Sequence, residues 1–382
     1  MVQQKRASPN VQVAPDMPSD LEAKPLHLPV PWPACCVQRK APKQERHGFL
    51  LLIYSLTKQP SALSKISILF DILQNSRQKS SELTWMVKMK YLVGETSEGT
   101  AVFAVNGENA VNLTALDPAV GPDLMGLICT PGLVDSLSEK IVASESVPVS
   151  SVTPALPVAS PGTIICMGLN YTDHIKEGGY DIPKYPALFM RGKNSIMAAG
   201  QPMVRPSCSE QLDYEAELML IVGKGGRHIS EKNALDHVFG YTVFNDGSVR
   251  NYQRKTHQWT PGKNFDDTGA IGPFTVTPDE LPEGASGLKI ESRVGDEILQ
   301  SSNTANMIWG VRQVIATISE YTTLEPGDLI ALGTPPGVGH AKKPNPRWLK
   351  PGETVEVEIE GIGVCASPIV DEKDAKSKVA AA

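Results

Sequence analysis

No stretch of this chain stays apolar long enough to cross a bilayer. The longest run, Phe49-Leu50-Leu51-Leu52-Ile53-Tyr54, falls well short of the ~20 residues a spanning helix needs. Cysteine is sparse and scattered: Cys35, Cys36, Cys129, Cys166, Cys208 and Cys365 include no Cys-x-x-Cys pair. That spacing fits neither a zinc site nor a disulfide scaffold, and reads as buried or incidental thiols in a reducing compartment. A secretory signal is missing too, because Lys5-Arg6 leads into Ala-Ser-Pro-Asn rather than an apolar segment. There is no internal repeat and no regular strand–helix alternation, which disfavours a doubly wound parallel fold.

What is present describes a globular protein, 41% apolar and 20% charged. At 382 residues it has room for one large domain and a smaller one. The net charge of −6 hides an asymmetry. Residues 1–88 hold 12 Lys/Arg against 6 Asp/Glu, and residues 89–382 hold 24 against 36. An acidic body argues against nucleic acid as a partner, and the short apolar runs argue against a membrane.

Residues 1–88 are rich in Pro, Ser and Gln without strong periodicity and are expected to be a disordered extension. Such a segment arises from a gene start placed upstream of the true one at Met86 or Met89, or from a transit peptide. Residues 1–15 carry no acid, but Asp16, Asp20, Glu22 and several prolines count against the second origin. The expected location is cytoplasmic, or mitochondrial if the extension is real. From Met89 the texture changes. Residues 89–155 read as a small N-terminal domain of three short strands (at Met89, Ala101 and Ala110) followed by a helix over roughly Gly121 to Ile141. Residues 156–372 read as the main domain and 373–382 as a tail. Within the main domain Ile164–Gly168, Leu218–Val222, Gly240–Asp246, Leu329–Leu332 and Val355–Ile359 are expected strands. Ser230 is expected to cap a helix through Ala234, Leu235 and Val238, and Met307 to Ile318 to form an amphipathic helix.

The chemistry concentrates in acids. Glu215 and Glu217 stand at the head of the apolar run Leu218-Met219-Leu220-Ile221-Val222, and side-chain alternation puts both carboxylates on one side, roughly 7 Å apart. Asp246 ends a second apolar strand. Buried carboxylates without partners are costly, and a divalent cation resolves that cost. Oxygen-only ligands favour a hard ion, Mg²⁺ or Mn²⁺. Glu356 and Glu358 have the same spacing but read as a wet strand face. His174 and Glu177, three apart, stack on one helical turn, where a carboxylate orients an imidazole and raises its basicity. His27, His47, His228, His237, His257 and His340 have no comparable company. Lys263, in Trp259-Thr-Pro-Gly-Lys263-Asn-Phe265, is a candidate partly buried cation facing an anionic ligand. Gly333-Thr-Pro-Pro-Gly-Val-Gly339 lacks the Gly-Lys-Ser/Thr end of a nucleotide loop and reads as a tight loop bringing Thr334 to a small ligand.

Four ordered motifs, Ile165-Cys-Met-Gly-Leu-Asn-Tyr-Thr-Asp-His174, Asp213-Tyr-Glu-Ala-Glu217, Gly240-Tyr-Thr-Val-Phe-Asn-Asp246 and Gly333-Thr-Pro-Pro-Gly-Val-Gly339, resemble the fumarylacetoacetate hydrolase family over about residues 89–370. The resemblance implies an α+β, mostly β fold: a mixed β-sandwich roll with a small N-terminal domain, usually as a homodimer. It implies Mg²⁺ or Mn²⁺ on Glu215, Glu217 and Asp246, a water-activating pair His174–Glu177, a catalytic Lys263, and substrate contacts at Tyr171, Arg191, Gln253 and Thr334. Three positions depart from the family pattern. Arg191 stands where lysine is usual, Asn251 where aspartate is usual, and Leu332 where threonine is usual. The expected activity is metal-dependent hydrolysis of a carbon–carbon bond in a 2,4-dioxo acid (acylpyruvate or fumarylpyruvate type) with release of a pyruvate enolate, a catabolic step. Oxaloacetate-type decarboxylation, ureidoglycolate cleavage and enol–keto isomerisation use a similar metal-held anion and are the alternative. A non-catalytic binding protein on the same scaffold is the remaining one.

Overall fold

The computed structural model describes residues 89–179 and 181–375. The extension expected at 1–88, with Cys35 and Cys36, lies outside them, as does most of the tail. The described residues form three sheets. The largest, of eleven strands, begins at β4 (Val147–Pro148), β3 (Asn109–Asn112), β2 (Gly99–Asn106) and β1 (Lys90–Thr96). It continues through β13 (Gly269–Val276), β11 (Val238–Asp246), β10 (Ala216–Val222), β16 (Leu329–Ala331), β5 (Ile164–Gly168) and β6 (Ala187–Met190), with β7 (Ile196–Ala198) also on β13. The N-terminal strands thus join the main sheet through the antiparallel pair β1–β13, in register Tyr91 to Thr275. A five-stranded sheet runs β15 (Glu297–Asn303), β14 (Lys289–Val294), β17 (Thr354–Ile359), β18 (Gly363–Asp371) and β8 (Met203–Arg205). The third is the short pair β12 (Ser248–Val249) and β9 (Leu212–Asp213). Antiparallel pairs predominate, with β5–β16, β7–β13 and β8–β18 parallel.

The unbroken apolar run of β10 has a direct cause: all seven of its residues are buried. Leu218, Leu220 and Val222 pack on one side with Ile290, Val355, Val357 and Ile359 of the five-stranded sheet and with Val314, Ile315 and Ile318 of the helix Val311–Tyr321. Met219 and Ile221 face the other side, against Val93, Leu113, Leu127 and Leu137. A strand buried on both faces has no wet side to signal its period. Each such side chain contributes about 1.5–3 kcal/mol on leaving water.

Three helices differ from expectation, the simplest case being the amphipathic one, which runs Val311–Tyr321 and leaves Met307 and Ile308 outside it. The stretch predicted as one helix over 121–141 divides into Met125–Cys129 and Leu133–Ala143, because Pro131 lacks a backbone donor and Gly132 turns left-handed at φ +80°. The segment after Ser230 is a 3₁₀ helix, Glu231–His237. Ser230 provides no side-chain cap, and Val238 already belongs to β11.

Candidate metal centre and cleft

Strand pairing builds the site. β10 lies antiparallel to β11 with Glu217 opposite Phe244, and Asp246 N–H donates to Glu215 O at 2.9 Å, so Asp246 sits beside Glu215. Oxygens of Glu215, Glu217 and Asp246 come within 4.8 Å of one another. All three side chains are buried. The expected convergence of these acids is met.

Their surroundings divide them. Lys263 Nζ sits between Glu215 Oε2 and Asp246 Oδ2, 2.6 Å from each. Arg250 donates from Nη2 to Glu215 Oε1 at 2.7 Å and from Nε to Asp213 Oδ2 at 2.7 Å. Arg191 donates from Nη1 to Asp246 Oδ1 and to Gly247 O, and from Nη2 to Thr268 Oγ1. Burial alone pushes Glu215 up, but Lys263 and then Arg250 outweigh it and hold the carboxyl well below its usual range. Lys263 is the mirror case, with burial pulling its ammonium down and Asp246 and Glu215 raising it further. Glu217 differs: its Oε2 accepts only the N–H of Gly333, at 3.0 Å, with no cationic partner among the described residues. Burial, then the charges of Asp246 and Glu215, push Glu217 well above the ordinary carboxylate range. Lys263 offsets only part of this, so a buried anion with one backbone donor and two anionic neighbours is left largely uncompensated, and a hard dication is what balances it. The residues present therefore fit a divalent cation on Glu215, Glu217 and Asp246. Gly333 is required where it stands: its φ is +87°, and a Cβ there would lie 2.9 Å from that of Asn170.

A cleft of ≈ 610 Å³, its open mouth included, is lined by Glu215 and Glu217 of the triad, while Asp246 lies buried behind them. His174, on the helix Thr172–Gly178, lines it, with Nδ1 buried and 3.5 Å from Glu177 Oε2. Glu177 also accepts the N–H of Gly337 at 3.0 Å. Burial raises the Glu177 carboxyl, but His174 and the Gly337 N–H together hold it below its usual value. Gln253 and Thr334 line the cleft as well.

Tyr171 and Arg191 do not. Tyr171 is 1% exposed and its hydroxyl is buried without a hydrogen-bond partner among the described residues. Arg191 is spent on Asp246 and its neighbours, so it braces a triad carboxylate rather than facing a ligand. Lys263, expected to face the substrate, lines the cleft and is at the same time clamped between two triad carboxylates. The cleft also holds residues the sequence reading passed over: Arg250, Arg254, Phe189, Trp259 and His340. His340, given no role above, has Nδ1 3.4 Å from Asp213 Oδ2. Asp213 in turn accepts the backbone N–H groups of Gly339 and His340. Nothing local in the sequence announces that partnership.

Gln300 was also missed. Its Oε1 accepts the obligate donor Ala216 N–H at 3.0 Å, and its Nε2 donates to Pro335 O and to Thr334 Oγ1, both at 2.8 Å. The amide orientation is thereby fixed. Because the Thr334 hydroxyl already accepts from Gln300, its own proton is left for a ligand oxygen.

Residues 163–370 match the fumarylacetoacetate (FAA) hydrolase C-terminal family. A human mitochondrial oxaloacetate tautomerase is 38% identical over 69% of this chain and 85% of its own length. An uncharacterised protein from Methanocaldococcus jannaschii is 43% identical over 56% of this chain and 85% of its own. Among solved structures, a fumarylacetoacetate hydrolase from Exiguobacterium antarcticum superposes with a TM-score of 0.64 at 32% identity, covering 74% of this chain and 100% of that one. A 2-hydroxyhepta-2,4-diene-1,7-dioate isomerase from Mycobacterium marinum gives 0.60 at 27%, covering 74% and 99%. The sheet order, the acidic triad and these likenesses agree: the chain belongs to the fumarylacetoacetate hydrolase family of enzymes.

Proposed function

We propose that this cleft interconverts the enol and keto forms of a small 2-oxo dicarboxylate of the oxaloacetate type, with a hard divalent cation on Glu215, Glu217 and Asp246. The observation that carries it is the uncompensated carboxylate of Glu217, which makes the triad a seat for a chelated 2-oxo acid rather than a closed salt-bridge network. What favours isomerisation over the hydrolysis first expected is likeness: the curated relatives at 36–38% identity include oxaloacetate tautomerases, and the solved neighbours include isomerases. A bound Mg²⁺ or Mn²⁺ would supply Lewis-acid polarisation of the 2-oxo group.

The rest is the work of this chain. His174, with Nδ1 turned toward Glu177, has Nε2 left to exchange a proton with the carbon next to the 2-oxo group. Thr334 donates its hydroxyl proton to a substrate oxygen, and Lys263 and Arg250 hold Glu215 in place. The proton on the 2-oxygen passes to water in the cleft. Decay of the enol absorbance of oxaloacetate, followed with Mg²⁺ and with Mn²⁺, should accelerate with the protein and return to the uncatalysed rate after chelation. A rate indifferent to chelation would overturn the metal-centred reading.

The His174–Glu177 pair favours a second reading, water activation for carbon–carbon hydrolysis of an acylpyruvate. Release of pyruvate from acylpyruvates, lost in His174→Ala, would establish it. The mitochondrial location of several relatives and the homodimer implied by the family pattern belong to the same proposal. No helix among the described residues is long and apolar enough to cross a membrane.

A further inference from the structure

Around the triad Asp213, Glu215, Glu217 and Asp246 are buried together with Arg191, Arg250 and Lys263. Four carboxylates against three cations leave one negative charge, and a dication turns that into one positive charge. One substrate carboxylate restores neutrality at this cluster. A second carboxylate on the same ligand finds no unbalanced charge there, and entering the cleft requires a cation of its own.

Arg254 meets that requirement. It caps the C-terminus of the helix Arg250–Gln253, its backbone N–H donating to Arg250 O, and it lines the same cleft as Gln253, His174 and His340. Arg191, Arg250 and Lys263 are each committed to carboxylates. The guanidinium of Arg254 has no carboxylate partner among the described residues, and its charge adds to that of Arg250 in opposing protonation of His340, which burial already disfavours. The planar fork of a guanidinium matches a carboxylate through two parallel hydrogen bonds.

We propose that Arg254 receives the distal carboxylate of the substrate and makes the cleft selective for dicarboxylates over monocarboxylates with the same 2-oxo or 2-hydroxy acid head. This rests on the head group being held at the triad as proposed above. It also supplies the distal recognition that Arg191, buried against Asp246, does not.

Malate and lactate separate the distal contribution from the reaction. They share a 2-hydroxy acid head and differ in the second carboxylate, and neither carries a 2-oxo group to enolise. Calorimetry on the Mg²⁺-loaded protein should find malate about tenfold tighter than lactate, the worth of one charge-assisted hydrogen-bonded pair near solvent. Arg254→Gln should bring malate down to the level of lactate, with Arg254→Lys in between. In turnover, Arg254→Gln should raise KM for oxaloacetate about tenfold with little change in kcat. Equal malate affinity in wild type and Arg254→Gln overturns the assignment. So does a parallel loss of malate and lactate, which would mark a structural role. A protein that discriminates malate from lactate through Arg254 yet leaves oxaloacetate enol untouched would refute the proposed reaction and leave this assignment standing.

Discussion

The chain carries Glu-x-Glu at Glu215 and Glu217 and again at Glu356 and Glu358, a run continued by Glu360, and the two strands treat these acids in opposite ways. Glu356 and Glu358 point from β17 toward Arg293 of the neighbouring strand, with Arg293 Nε 2.6 Å from Glu356 Oε2, and their side chains stay 34% and 45% exposed. Each acid there has a cation and water. Glu215 and Glu217 head a strand whose every residue is buried, and only Glu215 is paired with cations. Spacing is therefore the same and energetics are not. An acid pair becomes a metal seat when burial removes water and the fold withholds a counter-charge from one member.

The sharpest way to break the comparison is Glu217→Gln. Metal-dependent turnover should fall on the order of a thousandfold, since Lewis-acid stabilisation of several kcal/mol is lost. The metal-free protein should respond the other way. A carboxyl whose folded pKa is raised contributes stability fully below its unfolded pKa, and that stability drains as pH rises through the folded value. Metal-free wild type should thus melt at progressively lower temperature above the ordinary carboxylate range, and Glu217→Gln should flatten that slope. Calorimetric melts across pH, with and without chelator, read both effects. Glu358→Gln should change neither.

A smaller but still large effect is expected from the partnered member. Arg250→Met takes the guanidinium from Asp213 and leaves Glu215 with Lys263 alone, and removing one partner from a buried ion pair costs about 3–5 kcal/mol. Urea unfolding measures it, and a loss under 1 kcal/mol would mean that water reaches these carboxylates. Least of all should come from Arg293→Ala, where exposed pairs contribute at most about 1 kcal/mol and fade with salt.

Much of this was readable from residues alone. The apolar continuation after Glu217 announced a strand buried on both faces, and Gly-Thr-Pro-Pro-Gly announced the loop whose N–H reaches Glu217. What escaped was long-range. Arg250 meets Asp213 thirty-seven positions away, and Gln300 meets the Ala216 backbone eighty-four away. Such pairings depend on strand order, which periodicity does not encode. Arg191 misled for a related reason: a cation near a motif looks like a ligand contact until the fold turns it inward. The residues name both hydrolysis and, as an alternative, enol–keto isomerisation without choosing between them, because proton exchange and hydrolysis ask for the same metal and the same imidazole.

Glu177 has one further consequence. Its carboxylate faces the His174 ring and at the same time accepts the Gly337 N–H from the loop that follows Thr334. Asn170 anchors the opposite end of that short helix, donating to Leu332 O at 2.7 Å. Swinging the helix aside to admit a ligand would therefore pull away the carboxylate's far attachment and leave the near one fixed. The helix is thus held at both ends, and the acid that ties its far end to Gly337 is the one that stands beside the His174 ring.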